Sequence, residues 1–188
     1  MSSFFEKLML AREISFKEGR IEYLRNSRLM LLSEIFLSTY TESMMDSKKE
    51  LLRLYKNCKE DMRDGFIKKI TGSHGNTSRG RMLGLLNQTT EFGGWGRYEY
   101  EFVNEEARRT IIRMSDGIVS SALKGKVKKP CDHILRGFAA GGMSVMFDSD
   151  VDCVEISCAA IGDPFCRFAV GSMEFLEREF PERFKEQM

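Results

Sequence analysis

The sequence predicts a single domain that mixes helices and strands. Its 188 residues are enough for one domain with a sizeable core. From Leu51 to Ile70, apolar residues recur every three or four positions, as on one face of a helix. Residues 95–103 instead alternate between aromatic and charged, as on a half-buried strand, and residues 152–171 read as strand, turn and strand around residues 162–164. We therefore expect both element types in one domain.

The composition is that of an ordinary soluble protein and argues against two classes of function. With 42% hydrophobic and 30% charged residues, the chain contains no apolar run long enough to cross a bilayer, so we expect no membrane insertion. A net charge of +1 provides no general attraction for a polyanion, so we expect no direct nucleic-acid binding. The opening residues 1–16 include acidic residues and lack a signal-peptide cleavage site, which predicts a cytoplasmic protein.

The first half of the chain predicts a hairpin and three helices after a short N-terminal helix candidate. Residues 14–32 read as extended segments broken by turns, which favours a hairpin. Ser33 is a candidate cap for a helix through Met45, and the periodic helix that follows is expected to end at Gly72. The glycine-rich residues 72–80 lack the features of a phosphate-binding loop, because no GK[ST] follows them and no strand precedes them. A third helix is expected over residues 81–92.

The strand at residues 95–103 is the candidate wall of a ligand pocket. The alternation places Tyr98, Tyr100 and Phe102 on one face and charged residues on the other. This aromatic face either covers the core or, together with the only tryptophan, lines a pocket for an apolar molecule. The candidate ligand-binding residues are Trp95, Phe92, Tyr98 and Tyr100.

The second half also predicts a helix rich in small residues and a closing helix. A second strand is expected at residues 108–115 and a short helix or turn at 117–123. Glycines are frequent in the helix expected at residues 132–147. Because glycine weakens an isolated helix, they indicate tight packing or a ligand against that face. Residues 173–187 are expected to form one charged, amphipathic helix.

Four of the five cysteines lie in the last third of the chain and suggest a metal site. Three thiolates and one carboxylate, from Cys131, Glu155, Cys158 and Cys166, are enough for the tetrahedral shell of a structural zinc ion. The alternative is a set of scattered thiols buried in the core. Cys153 is either a spare thiol near this site or, as in the second interpretation, a small buried residue.

A shared metal requires a break in the first strand of the hairpin. Glu155 and Cys158 have opposite parity and would point to opposite faces of a regular strand. We therefore expect the strand to end or bulge near Ser157, and the backbone amides of the hairpin to donate to the sulfurs. Cys131 would join from the start of the glycine-rich helix, so the metal would staple a helix to a hairpin. Four protein ligands leave no position for water, which predicts a structural role.

The motif ExxCxAxGDxxCxF, from Glu155 to Phe168, resembles the C-terminal signature of the 4-vinyl reductase (hydrocarbon-binding) domain family. This family includes sensor domains of phenol- and toluene-responsive transcription activators, and it is distantly related to TRAPP vesicle-tethering subunits. The resemblance implies that zinc is held by Cys131, Glu155, Cys158 and Cys166. It also implies an α+β fold with an antiparallel sheet backed by helices, a NO-signalling/Golgi-transport ligand-binding-like fold, with an apolar pocket and frequent homodimers.

The resemblance is expected to cover residues 1–188 as one ligand-binding domain. Helices and N-terminal strands would occupy residues 1–125, the glycine-rich helix and zinc hairpin residues 126–170, and the C-terminal helix residues 171–188. The leading hypothesis is a zinc-stapled binding or sensor module for a small apolar or aromatic ligand, without its own output domain. The alternatives are a protein-interaction subunit, a component of a tetrapyrrole vinyl reductase, and a thiol redox sensor.

Overall fold

The structure is a computed structural model that describes residues 14–17, 20–23, 27–29, 33–67 and 78–188. Within these ranges the fold is α+β, with antiparallel sheets and helices, as the resemblance implied. The N-terminal helix candidate, the expected helix end at Gly72 and most of the glycine-rich loop lie outside the described residues.

The N-terminal strands form a small antiparallel sheet. Strands β1 (Ile14–Lys17), β2 (Arg20–Tyr23) and β3 (Ser27–Leu29) are hydrogen-bonded in that order. Lys17 pairs with Arg20, so β1 and β2 make the predicted hairpin. The third strand extends the hairpin, because Ile21 of β2 pairs with Leu29 of β3.

The helices of the first half begin and end close to the predicted residues. Helix α1 spans Glu34–Met44, and the Ser33 hydroxyl accepts a hydrogen bond from the Phe36 amide at 3.2 Å, as expected of a cap. Helix α2 spans Lys48–Glu60 and continues as a π-helix over Asp61–Ile67. The predicted periodic helix is therefore confirmed as far as Ile67, with its last part wound more loosely.

The larger sheet has four antiparallel strands. They are β4 (Arg97–Asn104), β5 (Arg109–Ser115), β6 (Asp152–Ser157) and β7 (Cys166–Gly171), in the spatial order β4-β5-β7-β6. Helix α3 (Arg79–Phe92) precedes β4 and helix α4 (Ile118–Ala122) follows β5. Strand β6 thus lies at one edge of this sheet.

The predicted aromatic face of β4 is wrong at Phe102. Between Tyr100 and Phe102 the pairing with β5 shifts, so that Tyr100 lies opposite Ile112 and Phe102 opposite Ile111. This bulge adds one residue to β4 and reverses the side on which later residues point. Phe102 is consequently 44% exposed, while Val103 is half-buried against the core.

Helix α5 (His133–Met146) is buried along most of its length and explains the glycine-rich stretch. A Cβ added at Gly137 would lie 2.6 Å from the Tyr55 carbonyl oxygen, and one at Gly141 would lie 2.3 Å from the Lys59 carbonyl oxygen. Both oxygens belong to α2, so the glycines allow the backbones of two helices to touch. Of the two predicted explanations, tight packing applies to these positions.

The single C-terminal helix predicted for residues 173–187 is wrong, because the structure has two. Helix α6 spans Met173–Glu179 and helix α7 spans Pro181–Gln187. Pro181 has no backbone N–H to donate to the preceding turn, and it occupies the first position of α7, where no donor is needed.

Replacing Gly141 by alanine should destabilise the fold, because the added methyl group meets the backbone of α2 rather than a flexible side chain. We expect Gly141→Ala to lower the free energy of unfolding by about 2–3 kcal/mol in chemical denaturation. Gly84→Ala in α3 is the control, since nothing lies within 4 Å of its added Cβ. It should instead raise stability by about 0.5–1 kcal/mol. Equal effects at the two positions would contradict the close helix contact.

Candidate metal centre

Of the four residues predicted to hold a metal, Glu155, Cys158 and Cys166 have ligand atoms within 4.8 Å of one another, and Cys131 contacts Cys158. Cys131 lies just before α5, Glu155 lies on β6, Cys158 follows β6, and Cys166 begins β7. Each is at most 1% exposed. The sulfur atoms of Cys131 and Cys158 are 3.8 Å apart. The fold therefore unites residues that are separated by up to 35 positions in the sequence.

A bulge in β6 brings Glu155 and Cys158 to the same side. Glu155 pairs with Phe168 on β7, whereas Ser157 pairs with Arg167, so Ile156 is the extra residue. The break near Ser157 that strand parity predicted is confirmed. Because the bulge shifts the parity by one position, Cys158 turns toward the carboxylate instead of away from it.

The turn between β6 and β7 donates a backbone amide to the sulfur atom of Cys166. A short 3-10 turn at Ala159–Ile161 follows Cys158, and the Ala159 amide donates to the Cys166 sulfur at 3.3 Å. The Asp163 carboxylate accepts a hydrogen bond from the Cys158 amide at 2.7 Å. The expected donation from the hairpin backbone to sulfur is confirmed at Cys166.

Asp132 is a further member of the cluster that the sequence interpretation missed. It is fully buried, and its Oδ2 accepts from the Cys166 thiol at 3.1 Å. Its backbone amide donates to Glu155 Oε2 at 3.0 Å. Ligand atoms of Asp132, Glu155, Cys158 and Cys166 all lie within 4.8 Å of one another. Its position next to a predicted ligand was a signal, but an aspartate at a helix start is usually a cap.

The donor set fits a metal ion of the zinc type. Two sulfurs bound to one tetrahedral zinc at about 2.3 Å lie about 3.8 Å apart, which is the separation of Cys131 and Cys158. Asp132 Oδ1 and Glu155 Oε1 are buried and have no hydrogen-bond partner among the described residues. Buried oxygens without partners are costly, so a cation between them would remove a penalty.

The electrostatics of the cluster also favour a cation. Burial, followed by the charge of Cys158, raises the pKa of Asp132 to about 7. Burial and the charge of Asp132 raise the pKa of Glu155 well above its usual value. Hydrogen bonds to Cys158 and then burial raise the pKa of Cys131 and Cys166, while hydrogen bonds from these two thiols lower the pKa of Cys158 to about 2. Several acidic groups are thus buried side by side, and a bound cation would favour their ionised forms.

The backbone of Glu155 is fixed by Gln187 of helix α7. The Gln187 side-chain oxygen accepts from the Glu155 amide at 2.9 Å, and its nitrogen donates to the Glu155 carbonyl at 2.8 Å. Because β6 is an edge strand, this amide group provides the hydrogen bonds that a neighbouring strand would have made. Gln187 thereby positions a candidate metal ligand from outside the cluster.

Arg136 of α5 joins the helix to the same edge strand. Its guanidinium donates to the Cys153 carbonyl at 3.0 and 3.1 Å and lies 4.5 Å from the centre of the Tyr55 ring. It also contacts His133 Nδ1 at 2.8 Å. Burial and the charge of Arg136 lower the pKa of His133 to about 3, so this imidazole is neutral and belongs to the core.

The four candidate pocket residues occupy different environments. The Tyr98 hydroxyl is buried and donates to the Leu135 carbonyl of α5 at 3.3 Å. Trp95 is half-buried and packs edge-on against Phe138 of α5 at 5.2 Å. Tyr100 is half-buried, whereas Phe92 is 36% exposed.

A separate surface depression of about 520 Å³ lies beside the candidate metal centre and includes none of these four aromatic residues. It is formed by the segment after α4 and the turn after Cys158. The lining residues are Lys124, Gly125, Val127, Lys128, Ala160, Ile161 and Gly162.

The chain resembles known proteins in its fold but matches none by sequence. No protein-family model and no curated protein matches the chain. Among solved structures, the phenol-responsive sensory domain of the transcription activator PoxR with phenol superposes with a TM-score of 0.75 at 19% identity. That superposition covers 100% of this chain and 99% of the other. This chain thus shares the fold of that domain, which confirms the expected structural resemblance.

Two further solved structures are similar over part of the fold. A trafficking protein particle complex subunit 3 from Naegleria fowleri, covalently bound to palmitic acid, gives a TM-score of 0.52 at 13% identity, covering 73% of this chain and 93% of the other. A vinyl-4-reductase family protein from Methanocaldococcus jannaschii gives 0.48 at 15% identity, covering 90% and 95%. No helix in the described part of the chain is long and apolar enough to cross a membrane.

Replacing Gln187 by alanine should leave the amide and carbonyl of Glu155 unpaired in a buried place. We expect Gln187→Ala to lower the free energy of unfolding by about 2–4 kcal/mol in urea denaturation. Gln88→Ala provides the matched control, because Gln88 is exposed on α3, and it should change stability by less than about 0.5 kcal/mol. If both variants were as stable as the parent protein, Gln187 would not fix the edge strand.

Proposed function

We propose that the chain is a zinc-stapled module that binds a small apolar or aromatic molecule. The observation that carries this proposal is the superposition, along the whole chain, on a sensory domain solved with phenol. Aromatic residues on and just before β4 support the ligand part of this proposal, and the buried donor cluster supports the metal part. In this proposal the module binds its ligand and does not convert it chemically.

The metal part of the proposal assigns Cys131, Glu155, Cys158 and Cys166 as the zinc ligands. A zinc ion with four protein ligands has no position for water, so it would supply structural cross-linking rather than hydrolysis. The cross-link would join the start of α5 to the β6–β7 hairpin. All four side chains are buried, and three of them are thiols, which suits zinc better than magnesium or calcium.

The ligand part of the proposal assigns Trp95, Phe92, Tyr98 and Tyr100 as the wall of the binding site. Trp95 and Tyr98 both contact α5, through Phe138 and the Leu135 carbonyl respectively. The rings offer apolar surface, and the hydroxyl of Tyr100 offers a hydrogen bond to a phenolic or similar group. Because α5 begins beside the metal cluster, the ligand site and the zinc staple would share one helix.

A protein-interaction subunit is the second candidate function. Helix α1 exposes Ile35 at 77%, Phe36 at 58% and Tyr40 at 48%, and neighbouring apolar side chains of this size are typical of surfaces that meet another protein. A homodimer of sensor modules would also use such a surface. This candidate places the function on α1 rather than on the β4 aromatic residues.

The zinc staple predicts one bound zinc per chain in protein purified without chelator. Cys166→Ser should lower the zinc affinity by at least about 100-fold, because it removes one of four ligands, and the free energy of unfolding should fall with it. Zinc content by elemental mass spectrometry and thermal unfolding with and without chelator provide the measurements. Cys58→Ser is the control, since this half-buried thiol lies outside the cluster and should leave zinc content unchanged. Equal zinc content in the two variants, or none in the parent protein, would refute the staple.

The ligand site predicts a saturable change in tryptophan fluorescence on addition of phenol or a cresol, because Trp95 is the only tryptophan. Tyr100→Phe should weaken the binding of phenol by about tenfold, the value of one hydrogen bond. Tyr40→Phe on exposed α1 is the matched control and should bind as the parent does. Fluorescence that changes only linearly with every phenol tested would contradict a site at Trp95.

A further inference from the structure

The metal cluster contains more ligand groups than one tetrahedral metal uses. Three thiols and two carboxyl groups, from Cys131, Asp132, Glu155, Cys158 and Cys166, are buried together. If all five were ionised and bound at once, their charge would exceed that of a divalent cation by three. Such an excess is very costly in the interior. We therefore expect four of the five groups to bind the metal and the fifth to remain unbound.

Distances in the structure support two of the possible sets of four ligands. Glu155, Cys158 and Cys166 belong to both. Cys131 completes the first set, with its sulfur 3.8 Å from that of Cys158. Asp132 completes the second, which is the set whose ligand atoms all lie within 4.8 Å of one another. Cys131 and Asp132 are adjacent in the chain, so exchange between them needs only a small movement at the start of α5.

The side chain of Asp132 is oriented for this role rather than for the usual one. Asp132 stands at the N-cap of α5, yet its carboxylate makes no capping hydrogen bond to the helix. One oxygen accepts from the Cys166 thiol, and the other is buried without a partner among the described residues. The residue thus forgoes a stabilising cap and directs an unpaired oxygen into the cluster.

We infer that Asp132 is an alternative metal ligand that replaces Cys131, so that the site keeps its metal when the Cys131 thiolate is not bound. This inference rests on the proposed metal site and adds a residue that the sequence motif does not contain. Divalent zinc and cobalt accept both sulfur and oxygen ligands, so either set suits them. The exchange would make Cys131 the least essential of the four proposed ligands.

The test is a titration of the metal-free protein with Co²⁺, followed by absorption spectroscopy. Cys131→Ser should still bind one Co²⁺, with at least about two-thirds of the thiolate charge-transfer absorption of the parent, because the variant keeps two thiolates and the parent binds at most three. Adding Asp132→Asn to Cys131→Ser should weaken binding at least a further tenfold or so, whereas Asp132→Asn alone should weaken it less than about threefold. Asp148→Asn, on the surface beyond α5, is the control in both backgrounds.

The outcomes distinguish a failure of the Asp132 inference from a failure of the metal site. If Cys131→Ser and Cys131→Ser/Asp132→Asn bind Co²⁺ equally, or if Asp132→Asn alone costs as much as it does with Cys131→Ser, Asp132 is not an alternative ligand. If the parent protein binds neither Co²⁺ nor Zn²⁺, the proposed metal site itself fails. Circular dichroism checks the fold of the Cys131→Ser variants.

A second measurement does not depend on the folding of the Cys131→Ser variants. X-ray absorption of the zinc-loaded parent should give an average sulfur number below three, and Asp132→Asn should give three, because only the set with Cys131 is left. Three sulfurs in both proteins would overturn the inference.

Discussion

The bulge at Ile156 is the constraint on which the candidate site depends. In a regular strand, Glu155 and Cys158 would lie on opposite faces of the sheet, and no metal would reach both. The extra residue places the carboxylate and the thiol on the same side, where Cys131 and Cys166 already lie. Because Glu155 is on an edge strand, the bulge is accommodated without disturbing a further neighbour.

Holding Glu155 in place requires support from two directions. From the open edge, Gln187 pairs with both backbone groups of Glu155. From the helix side, the amide of Asp132 donates to the Glu155 carboxylate, and Arg136 donates to the nearby Cys153 carbonyl. These contacts fix the Glu155 carboxylate, so a metal bound here would find one ligand already ordered.

The sequence was sufficient for those features that leave a local or periodic pattern. Helix α2, the Ser33 cap and the break near Ser157 follow from spacing alone. Phe102 was misplaced because a one-residue bulge reverses the side of a strand without altering its alternating pattern. Asp132 was missed because an aspartate before a helix has a commoner explanation as a cap. The role of Gln187 could not be predicted from the sequence, because its partner Glu155 lies in another element and only the folded chain joins them.

Helix α5 connects the candidate metal cluster with the proposed aromatic wall. Its first turn adjoins the cluster and includes Leu135, whose carbonyl accepts from Tyr98, and Phe138 in the second turn contacts Trp95. On its other side, Gly141 touches the backbone of α2, which leaves the helix no free space in that direction. In the proposed function, a ligand that moved Trp95 away from Phe138 would therefore act on a helix whose N-terminus lies at the candidate metal cluster. A metal bound there would limit how far that helix moves.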